Sequence, residues 1–136
     1  MSAMVNAKET FKITVKFKEI TDNEGVITGI HILPSDYEGD DASEMECQAI
    51  GRNWKDISLI KEESIIISHI KGTQLLRAYI LYRLIIVKFF KSWNLVDAET
   101  NQALPITLDN IDRMHYLLVR TLVKKWLRAT GGISSL

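Results

Sequence analysis

The histidines and the single cysteine are the residues whose types could support chemistry in this chain. His31, His69 and His115 are far apart in the sequence, and none belongs to an HxH or HExxH pattern. Because Cys47 is the only cysteine, neither a CxxC metal motif nor an internal disulfide can form. We therefore expect no metal site, and we interpret each imidazole as a satisfied, non-catalytic side chain.

Nucleophilic catalysis and nucleotide binding also lack sequence support. Cys47 with His31 or His69 would be the nucleophile and base of a cysteine enzyme, but no motif links these residues. The glycines do not assemble into GxGxxG or GxxxxGK[ST], the patterns whose loops hold phosphates. The chain is therefore predicted not to be an enzyme and to need no cofactor.

Charge is balanced over the whole chain but divided between its two halves. The net charge is zero, yet residues 1–60 carry six basic against eleven acidic side chains, and the remainder carries eleven against six. The two halves are therefore expected to attract each other or to attract different partners. We interpret the acidic run as a solvated loop, with cation binding as the alternative. The run comprises Asp36, Glu38, Asp40, Asp41, Glu44 and Glu46.

The N-terminal part of the sequence predicts a β-hairpin. Residues 12–20, KITVKFKEI, alternate polar and apolar side chains, as a half-buried strand does. The polar run 21–25 ends in a glycine and predicts a turn, and residues 26–33 are again rich in β-branched side chains. Pro34 lacks a backbone donor and is expected to end the second strand.

The segment from residue 42 to residue 70 is the hardest to assign. Ser43 as an N-cap and Glu46 three residues later form a capping box, which predicts a short helix that ends before Gly51. Residues 64–70, SIIISHI, have the composition of a strand but precede a helical pattern. We assign them to the first turns of a helix, because strand propensity is easily overridden by context.

A largely apolar helix is predicted from Thr73 to Lys91. Its charged residues predict only a narrow solvent-exposed side, so most of the helix surface must be covered by its own domain or by a partner. Arg83 lies away from that side and requires a carboxylate or a path to water. Arg83 and two other cations interrupt residues 75–90, so no membrane span is expected. The candidate protein-binding residues, for which core packing is the alternative, are Tyr79, Tyr82, Ile86, Phe89, Phe90, Trp93 and Trp126.

The second main helix is predicted to begin after Thr107, as its N-cap, and to end in basic residues before Gly131. One face of this helix is apolar and another is basic. We interpret the basic face as solvated, since Asp109 and Asp112 interleave with it, and nucleic-acid binding is the alternative. The basic face consists of Arg113, Arg120 and Lys124.

Together these elements predict the α+β class, with an N-terminal antiparallel hairpin packed against a C-terminal helical part that has two main helices. The 136 residues are expected to form a single domain, with the hairpin and acidic loop in residues 1–41 and a mainly helical part in residues 42–136. The first eleven residues lack the apolar core of a signal peptide, and the lone cysteine fits a reducing compartment. Action in a cytoplasm is therefore expected.

One region resembles a known family. The phrase KSWNLVD at residues 91–97, followed by ALPIT at residues 103–107 and then Asn110 and Ile111, resembles a pattern in the small tail-assembly chaperones of long-tailed bacteriophages. The intervening turn, residues 98–102, lacks the glycine that is usual in that pattern. The resemblance implies a protein that coats the apolar helices of the tape-measure protein in the host cytoplasm, recruits tail-tube subunits and leaves before the virion matures.

Two alternatives to the chaperone role stay open at this point. A permanent structural subunit of a phage particle, from the neck, tail or capsid, would be found in purified virions, whereas the chaperone would not. A small nucleic-acid-binding regulator would use the final helix, with binding that weakens steeply with salt. The expected partners are other phage proteins and a second copy of the chain, while neither nucleic acid nor a membrane is the expected partner.

Overall fold

The computed structural model describes residues 10–52, 54–71, 75–97 and 99–130, with the side chains of 54, 67–71 and 75–77 left out. Within these ranges the strands form an antiparallel four-stranded sheet in the order β2-β1-β3-β4. The predicted α+β class is confirmed. In chain order the elements are β1 (Thr10–Thr21), β2 (Ile27–Leu33), β3 (Ser43–Ile50), α1 (Trp54–Lys71), α2 (Leu75–Phe89), β4 (Phe90–Trp93), α3 (Leu108–Asp112) and α4 (Tyr116–Ala129).

The predicted hairpin is confirmed as β1 and β2. The two strands pair in register through Phe17↔Ile32 and its neighbours. In the turn, Asp22 Oδ1 accepts hydrogen bonds from the backbone N–H groups of residues 24 and 26, at 2.9 and 3.0 Å. Gly25 adopts a positive φ of 79°, which a residue without a Cβ does at little cost. The hairpin therefore owes its turn to local sequence chemistry.

The short helix expected after Ser43 is wrong, because residues 43–50 form β3. This strand pairs with β1 along its whole length, from Thr10↔Ile50 to Phe17↔Ser43. The inward side chains Met45, Cys47 and Ala49 are buried and alternate with more exposed polar ones, a period of two residues. Pairing with β1 satisfies the backbone groups that the capping box would have served in a helix. The expectation of a mainly helical part after residue 41 is wrong for this segment.

Residues 64–70 are helical as expected, but they form the last turns of α1 and not the first turns of the helix that follows. Helix α2 is shorter than predicted, since it ends at Phe89 and the chain continues directly into β4. Strand β4 pairs with β3 through Ala49↔Phe90 and Cys47↔Trp93. The helix stops here because the strand covers the open edge of β3 and buries Phe90.

The connector after β4 folds back on itself. Trp93 Nε1 donates a hydrogen bond to the carbonyl of Leu104 at 2.6 Å, and the N–H of Leu104 donates to the carbonyl of Leu95 at 3.0 Å. Asp97 Oδ1 accepts from the backbone N–H groups of residues 99 and 100, and these bonds lower the pKa of its carboxyl group. Asn101 has a φ of 57°, so asparagine takes the left-handed position that glycine usually fills.

The single final helix predicted from the sequence is divided into α3 and α4. Thr107 is the N-cap of α3 as predicted, with its hydroxyl accepting from the N–H of Asn110 at 3.2 Å. Arg113 caps the end of α3, and His115 then starts α4 by accepting from the N–H of Leu117 at 3.1 Å. The break is stabilised by this imidazole, which satisfies a donor at the new helix start.

Helix α4 lies against the sheet and completes the core. Trp126 stacks on Phe89, with ring centroids 4.8 Å apart, and its Nε1 donates to the carbonyl of Ile50 at 2.8 Å. Lys125 Nζ donates to the carbonyl of Thr14 at 2.7 Å, which fixes the helix to β1. The buried residues of α4 are Leu118, Val119, Leu122, Val123, Trp126 and Leu127.

Candidate protein-interaction surface

Of the residues that could support covalent chemistry, Cys47 and His115 have structural roles in the fold. Cys47 is buried in β3, and this burial, with a contribution from the Glu46 carboxylate, raises the pKa of its thiol to about 12. The thiol therefore stays protonated at physiological pH. His115 caps α4 through its ring, and His31 is exposed on β2, whereas the side chain of His69 lies outside the described residues.

The acidic run is divided between a loop and β3. Asp41 accepts a hydrogen bond from the Tyr37 hydroxyl at 2.5 Å and pairs with Lys18, and both contacts lower the pKa of its carboxyl group. Glu46, on β3, pairs with Lys12 at 3.3 Å. Across the described ranges no group of three or more His, Cys, Asp and Glu side chains is placed to hold a metal ion. Two carboxylates of the run, those of Asp41 and Glu46, therefore form ion pairs with lysines of β1.

Most of the predicted protein-binding residues are core residues. Ile86, Phe89, Phe90 and Trp126 are buried, so their assignment to an exposed interaction surface is wrong for this folded state. They are covered by the chain itself, since they belong to one apolar cluster with the sheet and with α4. Trp93 is half-buried and pins the connector through its indole N–H. The apolar surface of α2 is therefore covered mostly by its own domain and not by a partner.

Tyr79 and Tyr82 are half-buried and lie beside Tyr116, at ring-centroid distances of 5.8 and 6.5 Å. The Tyr79 hydroxyl donates to Asp112 Oδ1 at 3.0 Å, and burial, followed by this carboxylate, raises the pKa of the phenol. These tyrosines therefore join α2 to the start of α4.

Arg83 finds the carboxylate that the sequence required. Its Nη2 donates to Asp112 Oδ2 at 2.9 Å. Its Nε lies 2.7 Å from Oδ1, but the N–H is not directed at that oxygen, so this second contact is electrostatic. The ion pair fastens α2 to α3 and leaves the cation compensated.

The outer side of α1 carries an exposed aliphatic surface. Leu59 and Ile66 are each 53% exposed and Ile65 is 45% exposed, whereas Ile57 and Ile60 face inward and are buried. Seven residues span about two helical turns, so Leu59 and Ile66 lie on the same side of the helix. We call Leu59, Ile65 and Ile66 the outer face of α1.

Helix α1 packs mainly against one neighbouring element. Of the elements in the described ranges, only α2 packs against α1 to more than a marginal extent. Lys88 of α2 lies 3.8 Å from the Asp56 carboxylate of α1 and adds a loose ion pair. The signal in the sequence was the run Ile65 to Ile67, because consecutive helical residues point about 100° apart and cannot all face one core.

The predicted basic face is split by the break before α4. Arg113 ends α3, whereas Arg120 and Lys124 lie on α4 beside further cations. These α4 residues border a groove of about 530 Å³ between α4 and the chain segment that ends β2. The groove is lined by Ile32, Leu33, Pro34, Ser35, Leu117, Arg120, Thr121, Lys124, Lys125 and Arg128.

The segment of residues 75–90, whose cations argued against a membrane span, forms α2 and the start of β4. Within the ranges that the structure describes, no helix combines the length and the apolar character needed to cross a membrane. No protein-family model, no curated protein and no solved structure matches this chain.

Proposed function

We propose that this chain is a non-catalytic binding protein of phage tail morphogenesis, which covers apolar helices of the tape-measure protein in the host cytoplasm and recruits tail subunits. The observation that carries the proposal is the outer face of α1. Three aliphatic side chains there are about half exposed and lie on one side of the helix, whereas most of the large apolar residues of α4 are buried. An exposed group of this kind is typical of a surface that binds protein.

A partner helix fits this surface better than a small molecule does. Leu59 and Ile66 are separated by about two turns, or roughly 10 Å, which matches the spacing of ridges on a second helix. Glu62 and Glu63 lie between them and are exposed, so they can pair with cations beside the apolar stripe of the partner. Covering the aliphatic groups would stabilise the complex by about 25 cal/mol for each Å² removed from water.

The connector also supports the proposal. The phrases at residues 91–97 and 103–107, which carry the resemblance to tail-assembly chaperones, contact each other through Trp93 and Leu104. Asn101 in the turn between them has a φ of 57°, a conformation that glycine and asparagine adopt more readily than other residues.

The proposal is tested first in the phage itself. Mass spectrometry of purified virions should detect the tail proteins and not this chain, and a tape-measure reading frame should lie immediately downstream of its gene. Co-expression with this chain should keep a tape-measure fragment soluble that precipitates when it is expressed alone. Stoichiometric amounts of the chain in mature virions would instead identify a permanent structural subunit.

A further inference from the structure

The groove beside α4 is a concavity whose charged lining residues are all basic. Four of its lining residues are cations, and none is a carboxylate. Arg120 and Arg128 are exposed, whereas Lys124 and Lys125 are half-buried. Convergent positive charge without acidic lining favours an anionic ligand.

The stability of α4 does not account for this arrangement. Arg120, Lys124 and Arg128 follow one another at intervals of four residues, and like charges at that spacing destabilise a helix. The helix dipole favours the cation in the last turn, Arg128, but not Arg120 near the middle of α4. Lys125 is held by the Thr14 carbonyl and by Ser35 Oγ at 3.4 Å, while desolvation and Arg128 lower its pKa. The helix dipole therefore does not explain the position of Arg120, whose charge faces the groove.

The apolar residues that line the groove indicate which class of anion fits it. Ile32, Leu33, Pro34 and Leu117 contribute apolar surface between the cations. The sugar-phosphate backbone of a nucleic acid has no aliphatic side chain to place there, and no aromatic side chain lines the groove as a platform for a nucleic-acid base. A peptide that presents aliphatic side chains between carboxylates can contact both the cations and the apolar surface of the groove.

We propose that the groove between α4 and residues 32–35 binds an acidic segment of a protein partner, in which aliphatic side chains are interspersed among carboxylates. Arg120 and Arg128 pair with the carboxylates, and the aliphatic side chains rest on Pro34 and Leu117. This site uses none of the residues of the outer face of α1. It is therefore a second binding site, independent of the proposed covering of tape-measure helices.

Fluorescence anisotropy with a short labelled peptide of glutamates and leucines tests the proposal. Binding should be saturable and should weaken as salt rises. Arg120→Glu combined with Arg128→Glu should weaken it roughly tenfold or more, since charge-assisted pairs would be replaced by repulsion. Arg113→Glu is the matched control, because it reverses the charge of an exposed arginine that does not line the groove, and it should leave binding unchanged.

Two comparison probes and one measurement of oligomeric state decide the ligand class. A peptide with serine in place of each leucine should bind more weakly, and equal affinity would overturn the role of the apolar surface of the groove. A single-stranded DNA of equal charge should also bind more weakly, and tighter binding with the same dependence on Arg120 would make the site a nucleic-acid site. Dimers that appear with rising protein concentration and vanish in Arg120→Glu would make a second copy the occupant and overturn the proposed partner.

Amide chemical shifts give a readout that is independent of affinity. Addition of the glutamate and leucine peptide should shift the amide signals of Ile32, Leu33 and Leu117, and shifts confined to other elements would contradict the site. A variant with Leu59→Glu and Ile66→Glu should bind this peptide as the parent does. Failure at α1 and failure at the groove are therefore distinguishable.

Discussion

Helices α1 and α4 solve the same physical problem in different ways. In α4 the apolar side chains share one face, and that face is buried against the sheet and α2. In α1 the apolar side chains occur all round the helix, so Ile57 and Ile60 are buried while Leu59 and Ile66 remain exposed. The apolar face of an amphipathic helix is covered by its own fold, whereas apolar residues that are spread around a helix leave some side chains open to a further partner.

The anchoring of the two helices differs in the same sense. Helix α4 is fixed to the sheet by hydrogen bonds from Lys125 and Trp126, and Arg52 Nη2 donates to the carbonyl of Leu127 at 2.9 Å near its C-terminus. Helix α1 rests on α2, with the pair Lys88 and Asp56 at 3.8 Å. Substitutions in α4 should therefore change stability, and substitutions on the outer side of α1 should change binding.

The largest expected effect on stability is that of Trp126→Ala. This change removes a buried ring that stacks on Phe89 and leaves the Ile50 carbonyl without its donor. We expect the free energy of unfolding to fall by about 3–5 kcal/mol in urea titrations. Leu59→Ala in α1 is the contrast, with a change within about 0.5 kcal/mol. Similar losses for the two variants would remove the distinction between the helices.

The burial of Cys47 in β3 should make the free energy of unfolding depend on pH. Below pH 9 the Cys47 thiol is protonated in both the folded and the unfolded chain. Above its ordinary pKa of 9.0 the unfolded thiol ionises, while the folded thiol keeps its proton up to about pH 12. Its contribution to the free energy of unfolding should fall by about 1.4 kcal/mol for each pH unit in that window.

Cys47→Ala is the control for this effect. The variant keeps every other titrating group, so its stability should decline less steeply with pH above 9 than that of the parent chain. Denaturant titrations between pH 9 and 10.5 measure both slopes. Parallel slopes would show that the thiol is accessible and not enclosed by the sheet and helices.

An intermediate effect is expected where α2 meets α3. Asp112→Asn removes the charge opposite Arg83 and weakens the acceptor of the Tyr79 hydroxyl. Because the arginine is largely shielded, we expect a loss of about 1–2 kcal/mol in thermal or urea unfolding. Glu46→Gln breaks the exposed pair with Lys12 and should change stability by less than about 0.5 kcal/mol. Equal losses of stability for the two variants would contradict the expectation that the shielded pair of Arg83 and Asp112 contributes more than the exposed pair of Lys12 and Glu46.

The parts of the fold that local pattern determines were predictable. The hairpin followed from alternation around a glycine turn, and the buried face of α4 followed from its helical period. Strand β3 was missed because its pairing partner, β1, lies some thirty residues earlier, and its glutamates suit a helix equally well. The break before α4 was missed because Leu108 and Leu118 are compatible in phase with one continuous helix, and only His115 as a cap reveals the interruption.

The candidate surface was harder to predict than the fold. Aromatic residues of α2 were candidates for partner binding, but Phe89 is buried and Tyr79 and Tyr82 are half-buried, since large apolar groups release the most free energy when buried. The outer face of α1 has no periodic signal of its own. Its exposure follows from how α1 sits on α2, which depends on tertiary packing and not on local sequence.

The most direct measurement compares two variants of this chain in binding to a fragment of the tape-measure protein. The first combines Leu59→Glu with Ile66→Glu on the outer face of α1, and the second is Val96→Glu, which changes an aliphatic residue that is 48% exposed on the connector. We predict unchanged urea unfolding for both, with binding lost in the first and retained in the second by isothermal titration calorimetry. Full binding by the α1 variant would contradict the assignment of its outer face as the docking surface.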